Sequence, residues 1–131
     1  MVQFEGTNGP EVERFVQKAL DLPFDELAAI CQRLLEPSVY QHRVALRRLI
    51  NTDEKTGAEL KLLREYIKVT ATERWAKEPD WAMRSVKLHW AVQAIFSGAQ
   101  GLMLRNSINA EDKDSVEAVR ALTEPFQQLM S

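Results

Sequence analysis

Between Leu88 and Leu104 the chain reads LHWAVQAIFSGAQGLML, about 17 residues without an Asp, Glu, Lys or Arg, although these four types make up 27% of all positions. A stretch so poor in charge belongs inside a fold. At about 100° per residue, Leu88, Val92, Ile95, Phe96, Ala99, Leu102 and Met103 share one side of a helix, and His89, Gln93, Ser97 and Gln100 form the next strip. Ala91, Ala94, Gly98 and Gly101, with Trp90, complete the circle. A helix with a large apolar face, a small-residue face and a narrow uncharged strip packs against neighbours almost all round. The pattern therefore predicts a central hydrophobic helix over about 81–105, with Trp81 turned to the apolar side beside Leu88 and Val92. As a membrane span it would sit at the lower length limit and would carry His89, Gln93, Ser97 and Gln100, with Arg84 and Lys87 crowding one end. A soluble core helix fits better, and no membrane partner is expected.

The flanking segments read as shorter amphipathic helices. Pro10 opens a helix whose one face is Val12, Phe15, Val16, Ala19 and Leu20; after Pro23 the spacing returns in Phe24, Leu27, Ile30, Cys31, Leu34 and Leu35. Pro37 and Ser38 start a third, with Val39, His42, Ala45, Leu46, Leu49 and Ile50 on its apolar side. Residues 51–57 read as a polar turn, and Ala58 to about Lys77 as a long fourth helix with Leu60, Leu63, Tyr66, Ile67, Thr70 and Ala71 in a stripe. After the central helix, residues 106–114 make a polar connection to Val116, Val119, Leu122, Phe126, Leu129 and Met130, which Pro125 should kink or restart. No alternating β-branched run or repeat competes with these patterns. The expected fold is an all-α, single-domain bundle of five to six helices over residues 1–131, with 1–9 a flexible N-terminal segment.

Composition narrows the chemistry. With Cys31 as the single cysteine and only two histidines, neither an intrachain disulfide nor a multi-ligand Cys/His metal site is available. Gly-rich phosphate loops, Gly-x-Ser-x-Gly and His-Glu-x-x-His are missing from the chain, so no catalytic residue, metal or cofactor is expected. Cys31 and His42 lie on apolar helix faces, where a buried thiol and a hydrogen-bonded core imidazole are the ordinary readings. Glu111, Asp112 and Asp114 lack the glycine and terminal glutamate of an EF-hand loop and suit a helix N-terminus instead. The opening residues, MVQFEGTNGP, lack the basic-then-apolar pattern of a signal peptide, which makes the cytoplasm the expected location.

Charge is unevenly placed around the total of -2: both ends are acidic and the middle is basic, with Arg43, Arg47 and Arg48 on one helix and Lys61, Arg64 and Lys68 on the next. One reading is mutual neutralisation between acidic end helices and a basic middle. The other is an anion or nucleic-acid surface. The segment Asp25–Ile50, a short helix, a break and a second helix containing Ala-Leu-Arg-Arg-Leu, resembles a helix-turn-helix. That resemblance implies Ser38, Tyr40, Gln41 and Arg43 nearest a groove, with Arg47 and Arg48 on phosphates. The chain departs from the motif where Leu34 to Ser38 replaces the usual short turn, and no winged hairpin follows Ile50.

Within the central helix, His89, Gln93, Ser97 and Gln100 follow at spacings of four, four and three, forming one ridge. Such a ridge serves as a hydrogen-bond layer between helices or subunits, lines a pocket for a polar-headed ligand, or faces solvent. Gly98 and Gly101, beside Ala94 and Trp90, point to a closely approaching helix, from the same chain or from a second subunit. The expectation is an interaction or regulatory module acting by association with a protein partner or with itself as a homodimer. A nucleic-acid-binding protein using residues 25–50 and a small-ligand pocket along the ridge are the alternatives.

Overall fold

The computed structural model describes residues 4, 6, 9–50, 54–105 and 111–129, with the side chains of residues 49 and 50 outside that description. Six α-helices occur among them: α1 Gly9–Leu20, α2 Phe24–Leu34, α3 Pro37–Ile50, α4 Glu54–Arg74, α5 Trp81–Leu104 and α6 Lys113–Thr123. A 3-10 turn, Glu124–Leu129, follows α6 directly, with Pro125 just inside it. The chain is an all-α bundle built around α5, which touches α1, α2, α4 and α6, while α3 lies mainly against α6. No helix among the described residues is long and apolar enough to cross a membrane.

Local chemistry sets the ends of the elements. Pro10 takes an early helical position in α1, where its missing N–H costs no hydrogen bond. Asp80 begins α5 by accepting from the amides of Ala82 at 3.0 Å and Met83 at 3.2 Å, and Asp112 begins α6 by accepting from the amide of Ser115 at 3.3 Å. The core then follows from helical spacing: Val12, Phe15, Val16, Ala19 and Leu20 from α1, Leu27, Ile30, Cys31 and Leu34 from α2, and Leu60, Leu63, Tyr66, Ile67 and Ala71 from α4. Each fully buried leucine or isoleucine among these contributes about 1.5–3 kcal/mol relative to exposure.

Several local expectations are revised. α4 begins at Glu54, so residues 54–57 are helical and not a turn; an acidic residue in the first turn favours the positive helix end, and Gly57 there meets no neighbour that would require a loop. Trp81, placed inside by its rotation angle, is 71% exposed. The long fourth helix that would have covered it ends at Arg74, so the first turns of α5 project past their neighbour. Leu35 lies one residue beyond α2 and Val116 at the outer side of α6, and both are exposed, as is Ala45 on α3. Of the N-terminal segment expected to be flexible, residues 1–3, 5 and 7–8 lie outside the described residues. Phe4 is buried, its ring 6.2 Å from that of Tyr66 and its amide donating to Glu13 Oε1 at 2.6 Å. The connection over residues 106–110 and the turn over 51–53 also lie outside.

The two apolar sides of α5 are used differently. On the small side, Ala91, Ala94, Gly98 and Gly101 are buried, with Gly98 against α1 and the 3-10 turn and Gly101 against α6. A Cβ at Gly98 would stand 2.6 Å from two ring carbons of Phe126 and 2.8 Å from Phe15 Cζ; one at Gly101 would stand 2.9 Å from Thr123 Cγ2. On the large side, Ile95, Leu102 and Met103 are covered, whereas Leu88, Val92 and Phe96 stay partly open because α3 and α4 do not close over them. That opening positions the site.

Candidate functional site

The site is a cleft whose walls are α3 and α4 and whose floor is α5. Arg43 and Arg47 are one turn apart on α3, and Lys61, Arg64 and Lys68 repeat at three and four residues along α4, so each set shares a helix face. Both faces turn toward the opening. A cavity of about 720 Å³ has Arg43 and Arg47 on one wall, Glu54, Lys61 and Arg64 on the other, and Gln93, Phe96 and Gln100 beneath. A second cavity of about 360 Å³ adjoins it, with Arg64, Lys68 and Thr72 from α4 above Leu88, His89, Val92 and Gln93. A third, about 140 Å³, lies on the side of α2, between Cys31, Leu34, Leu35 and Arg43 and the α5 residues His89, Trp90, Gln93 and Ser97. Gln93 borders all three.

The electrostatics of the cleft are one-sided. Among the described residues, five cations, Arg43, Arg47, Lys61, Arg64 and Lys68, line the cleft with one carboxylate, Glu54. The ion pairs seen among the described residues, Arg74–Asp21, Lys87–Glu78, Arg105–Glu11 and Arg120–Glu117, involve none of the five. Two of them contact aromatic rings: the Arg64 guanidinium carbon lies 5.2 Å from the Phe96 ring centre, and that of Arg43 lies 6.0 Å from the Tyr40 ring. Such contacts hold a guanidinium in place without neutralising it. Burial, reinforced by the like charge of Arg47, lowers the Arg43 pKa. Burial also pushes the Cys31 thiol up, against the opposing pull of Arg43, so this cysteine stays a protonated thiol at neutral pH.

The ridge residues are distributed along the floor. His89 is exposed and sets its ring edge-on to Trp90 at 5.9 Å. Gln93 and Gln100 are half-buried and face the cleft, while Ser97 is buried and its hydroxyl donates to the Gln93 carbonyl at 3.0 Å. Among the close-packing residues, Ala94, Gly98 and Gly101 are buried against neighbours, whereas Trp90 is half-buried and walls the small third cavity. Of the three arginines on α3, Arg43 and Arg47 join the ridge at the cleft, and Arg48 is exposed and does not line it. His42 is half-buried on α3, and Asp112 serves as the cap of α6. No group of three or more His, Cys, Asp or Glu side chains able to hold a metal ion occurs among the described residues.

Phe96, Thr72 and Glu54 are site residues that sequence reasoning did not single out. Its spacing puts Phe96 on the apolar side of α5, and the signal for its place in the site is its position one residue from Ser97 and three from Gln93, at the edge of the ridge. The basic faces of α3 and α4 and the ridge of α5 were each visible separately, but their meeting is a tertiary fact. Comparison with protein-family models, curated proteins and solved structures finds no match to this chain.

Proposed function

We propose that this protein is a binding module for a small anionic ligand, held between α3 and α4 over the polar ridge of α5. The observation that carries the reading is the gathering, among the described residues, of five cations and one carboxylate around cavities that meet at Gln93. Like charges on neighbouring helices repel, and solvated lysines and arginines normally spread away from each other. Here they line a concave surface with low-dielectric walls, a geometry that focuses positive potential and draws anions. The cavity volumes fall in the range of small-molecule sites, which combine apolar walls with a few polar groups that fix orientation. Leu88, Val92 and Phe96 supply the former, and Gln93, Gln100 and His89 the latter.

Thermal unfolding at constant ionic strength, with inorganic phosphate, sulfate or citrate added in turn, tests this. At least one of these anions should raise the midpoint with the logarithm of its concentration above Kd, about 2.7 kcal/mol of stabilisation at a hundredfold excess. The Arg47→Gln, Lys61→Gln double variant should lose the response while being no less stable without ligand, since it removes unneutralised repulsion. A midpoint indifferent to all three anions, or unchanged responsiveness in the double variant, would overturn the reading.

A second reading, association with a copy of itself, is favoured by one separate observation. Trp81, Met83 and Val86, in the first two turns of α5, are 71%, 43% and 44% exposed. This places a large apolar group in water at the start of α5, on residues that do not line the cleft.

A further inference from the structure

Resting on the anion reading of the same cleft, we infer that its ligand is a phosphate monoester with a flat apolar body, the phosphate lying among Arg43, Arg47 and Lys61 and the body over Leu88 and Val92. Two compartments of different character share Arg64 and Gln93 as their common boundary. The larger one draws guanidinium and ammonium groups from both α3 and α4, opposed among the described residues by Glu54. Such a set exceeds what a single carboxylate would balance. A phosphate monoester carries about -1.5 to -2 at pH 7 and three acceptor oxygens, and guanidinium groups match those oxygens with paired N–H donors.

The smaller compartment has a different lining. Leu88 and Val92 form an apolar floor, Thr72 and His89 give a hydrogen-bonding rim, and Arg64 and Lys68 stand at the side. Arg64, whose guanidinium carbon lies 5.2 Å from the Phe96 ring centre, lines both compartments and so stands where they adjoin. An apolar body over Leu88 and Val92 would stack beside the planar Arg64 group, and the shared lining of Arg64 and Gln93 puts its phosphate next to the larger compartment. The Gln93 side chain, bordering both, is placed to hydrogen-bond where body and phosphate join.

A polynucleotide is the less suited anion. Arg48, exposed on α3, lies outside the cleft, and the chain carries a net charge of -2. Phosphate-backbone binding instead rests on exposed cations strung over an outward surface.

The test uses the full chain and four probes: phenyl phosphate, inorganic phosphate, phenol and a single-stranded oligonucleotide, with citrate as the carboxylate comparison, each titrated by NMR or calorimetry. Phenyl phosphate should bind about tenfold or more tightly than inorganic phosphate, and phenol should show no saturable binding at the same concentrations. Arg47→Gln should weaken both phosphates by about tenfold, whereas Leu88→Ala should remove the advantage of phenyl phosphate and leave inorganic phosphate within about twofold. Because Arg47 is exposed and Leu88 only half-buried, both variants are expected to fold, and retained helical circular dichroism checks it. Equal affinity for phenyl phosphate and inorganic phosphate, or tighter binding of citrate, would overturn the ligand class while leaving an anion site. Tighter oligonucleotide binding per phosphate would overturn it in favour of a nucleic-acid surface. Silence toward every anion would overturn both the ligand class and the anion reading beneath it.

Discussion

At Gly98 a methyl group has no room. The nearest atoms to a Cβ there belong to Phe126 and Phe15, both buried and set edge-to-face at 5.1 Å with an 83° interplanar angle. Neither ring is the free end of a flexible chain, so neither can swing aside cheaply. Gly98→Ala gains up to about 1 kcal/mol of helix propensity and loses about 1–3 kcal/mol to overpacking, so the variant should be less stable. Gly57→Ala gives the opposite sign. At Gly57, in the first turn of α4, a Cβ meets nothing within 4 Å, so the same change should be neutral or stabilise by up to about 1 kcal/mol. Denaturant unfolding of the two variants checks both signs; a stabilised Gly98→Ala would mean that α1 and the 3-10 turn do not sit where they are placed here. Gly98 and Gly101 were readable as unusual from sequence because a mid-helix glycine needs a reason. Which atoms supply the reason was not, since Phe126 approaches from a segment 28 positions further along the chain.

Helix by helix, the inner faces of α1, α2 and α4 could be read from spacing, because each buries one stripe and the 3.6-residue period records it. The failures are at positions where the neighbour decides. Trp81 has the right angle for burial and no helix beside it, and Glu54 to Gly57 read as a turn because Gly57 is a poor helix former whose cost in a first turn is small. The start of α6 was legible in chemical terms, with acidic residues preceding Val116. Asp112 accepts from the Ser115 amide and from its hydroxyl at 2.8 Å, and these hydrogen bonds hold its carboxyl below the usual range, the hydroxyl contributing most. A carboxyl whose folded pKa is depressed contributes stability that is fully present above the unfolded value and is lost as pH falls through the folded one. Asp112→Ala should therefore lower the unfolding midpoint at neutral pH, and the gap between wild type and variant should close as pH drops through and below the ordinary carboxylate range. Asp112→Asn, which keeps an acceptor without a titratable charge, should recover part of the loss and flatten this pH dependence. A gap that is constant with pH would show that the charge of Asp112 plays no part in starting α6.

Over the whole molecule, the contrast between acidic ends and a basic middle is resolved in two ways. Arg74 pairs with Asp21 and Arg105 with Glu11, so part of the middle is neutralised by α1 and the turn after it. The cations of α3 and α4 are instead left facing each other across the cleft, a division that depends on how three helices pack and is not written in any one of them. The start of α5, before the residues that line the cleft, carries a second open feature, its exposed apolar turns. A buried aromatic side chain covers about 150–250 Å², while a standard interface needs about 800 Å² per partner. Trp81, Met83 and Val86 can thus form the centre of a self-association surface but not the whole of one, and the dimer they support should be weak and concentration-dependent. Sedimentation of the 15.0 kDa chain should show its mass rising toward twice that value with concentration. Trp81→Ser should abolish the rise and, since the residue is exposed, leave the unfolding midpoint at low concentration nearly unchanged, within about 0.5 kcal/mol. It should also leave anion binding intact, because Trp81 does not line the cleft. A monomer at every concentration would remove the self-association reading and leave the cleft as the binding surface; a dimer that survives Trp81→Ser would place the contact on another face, with Leu62 and Val69 of α4, 59% and 36% exposed and two turns apart, next to be changed.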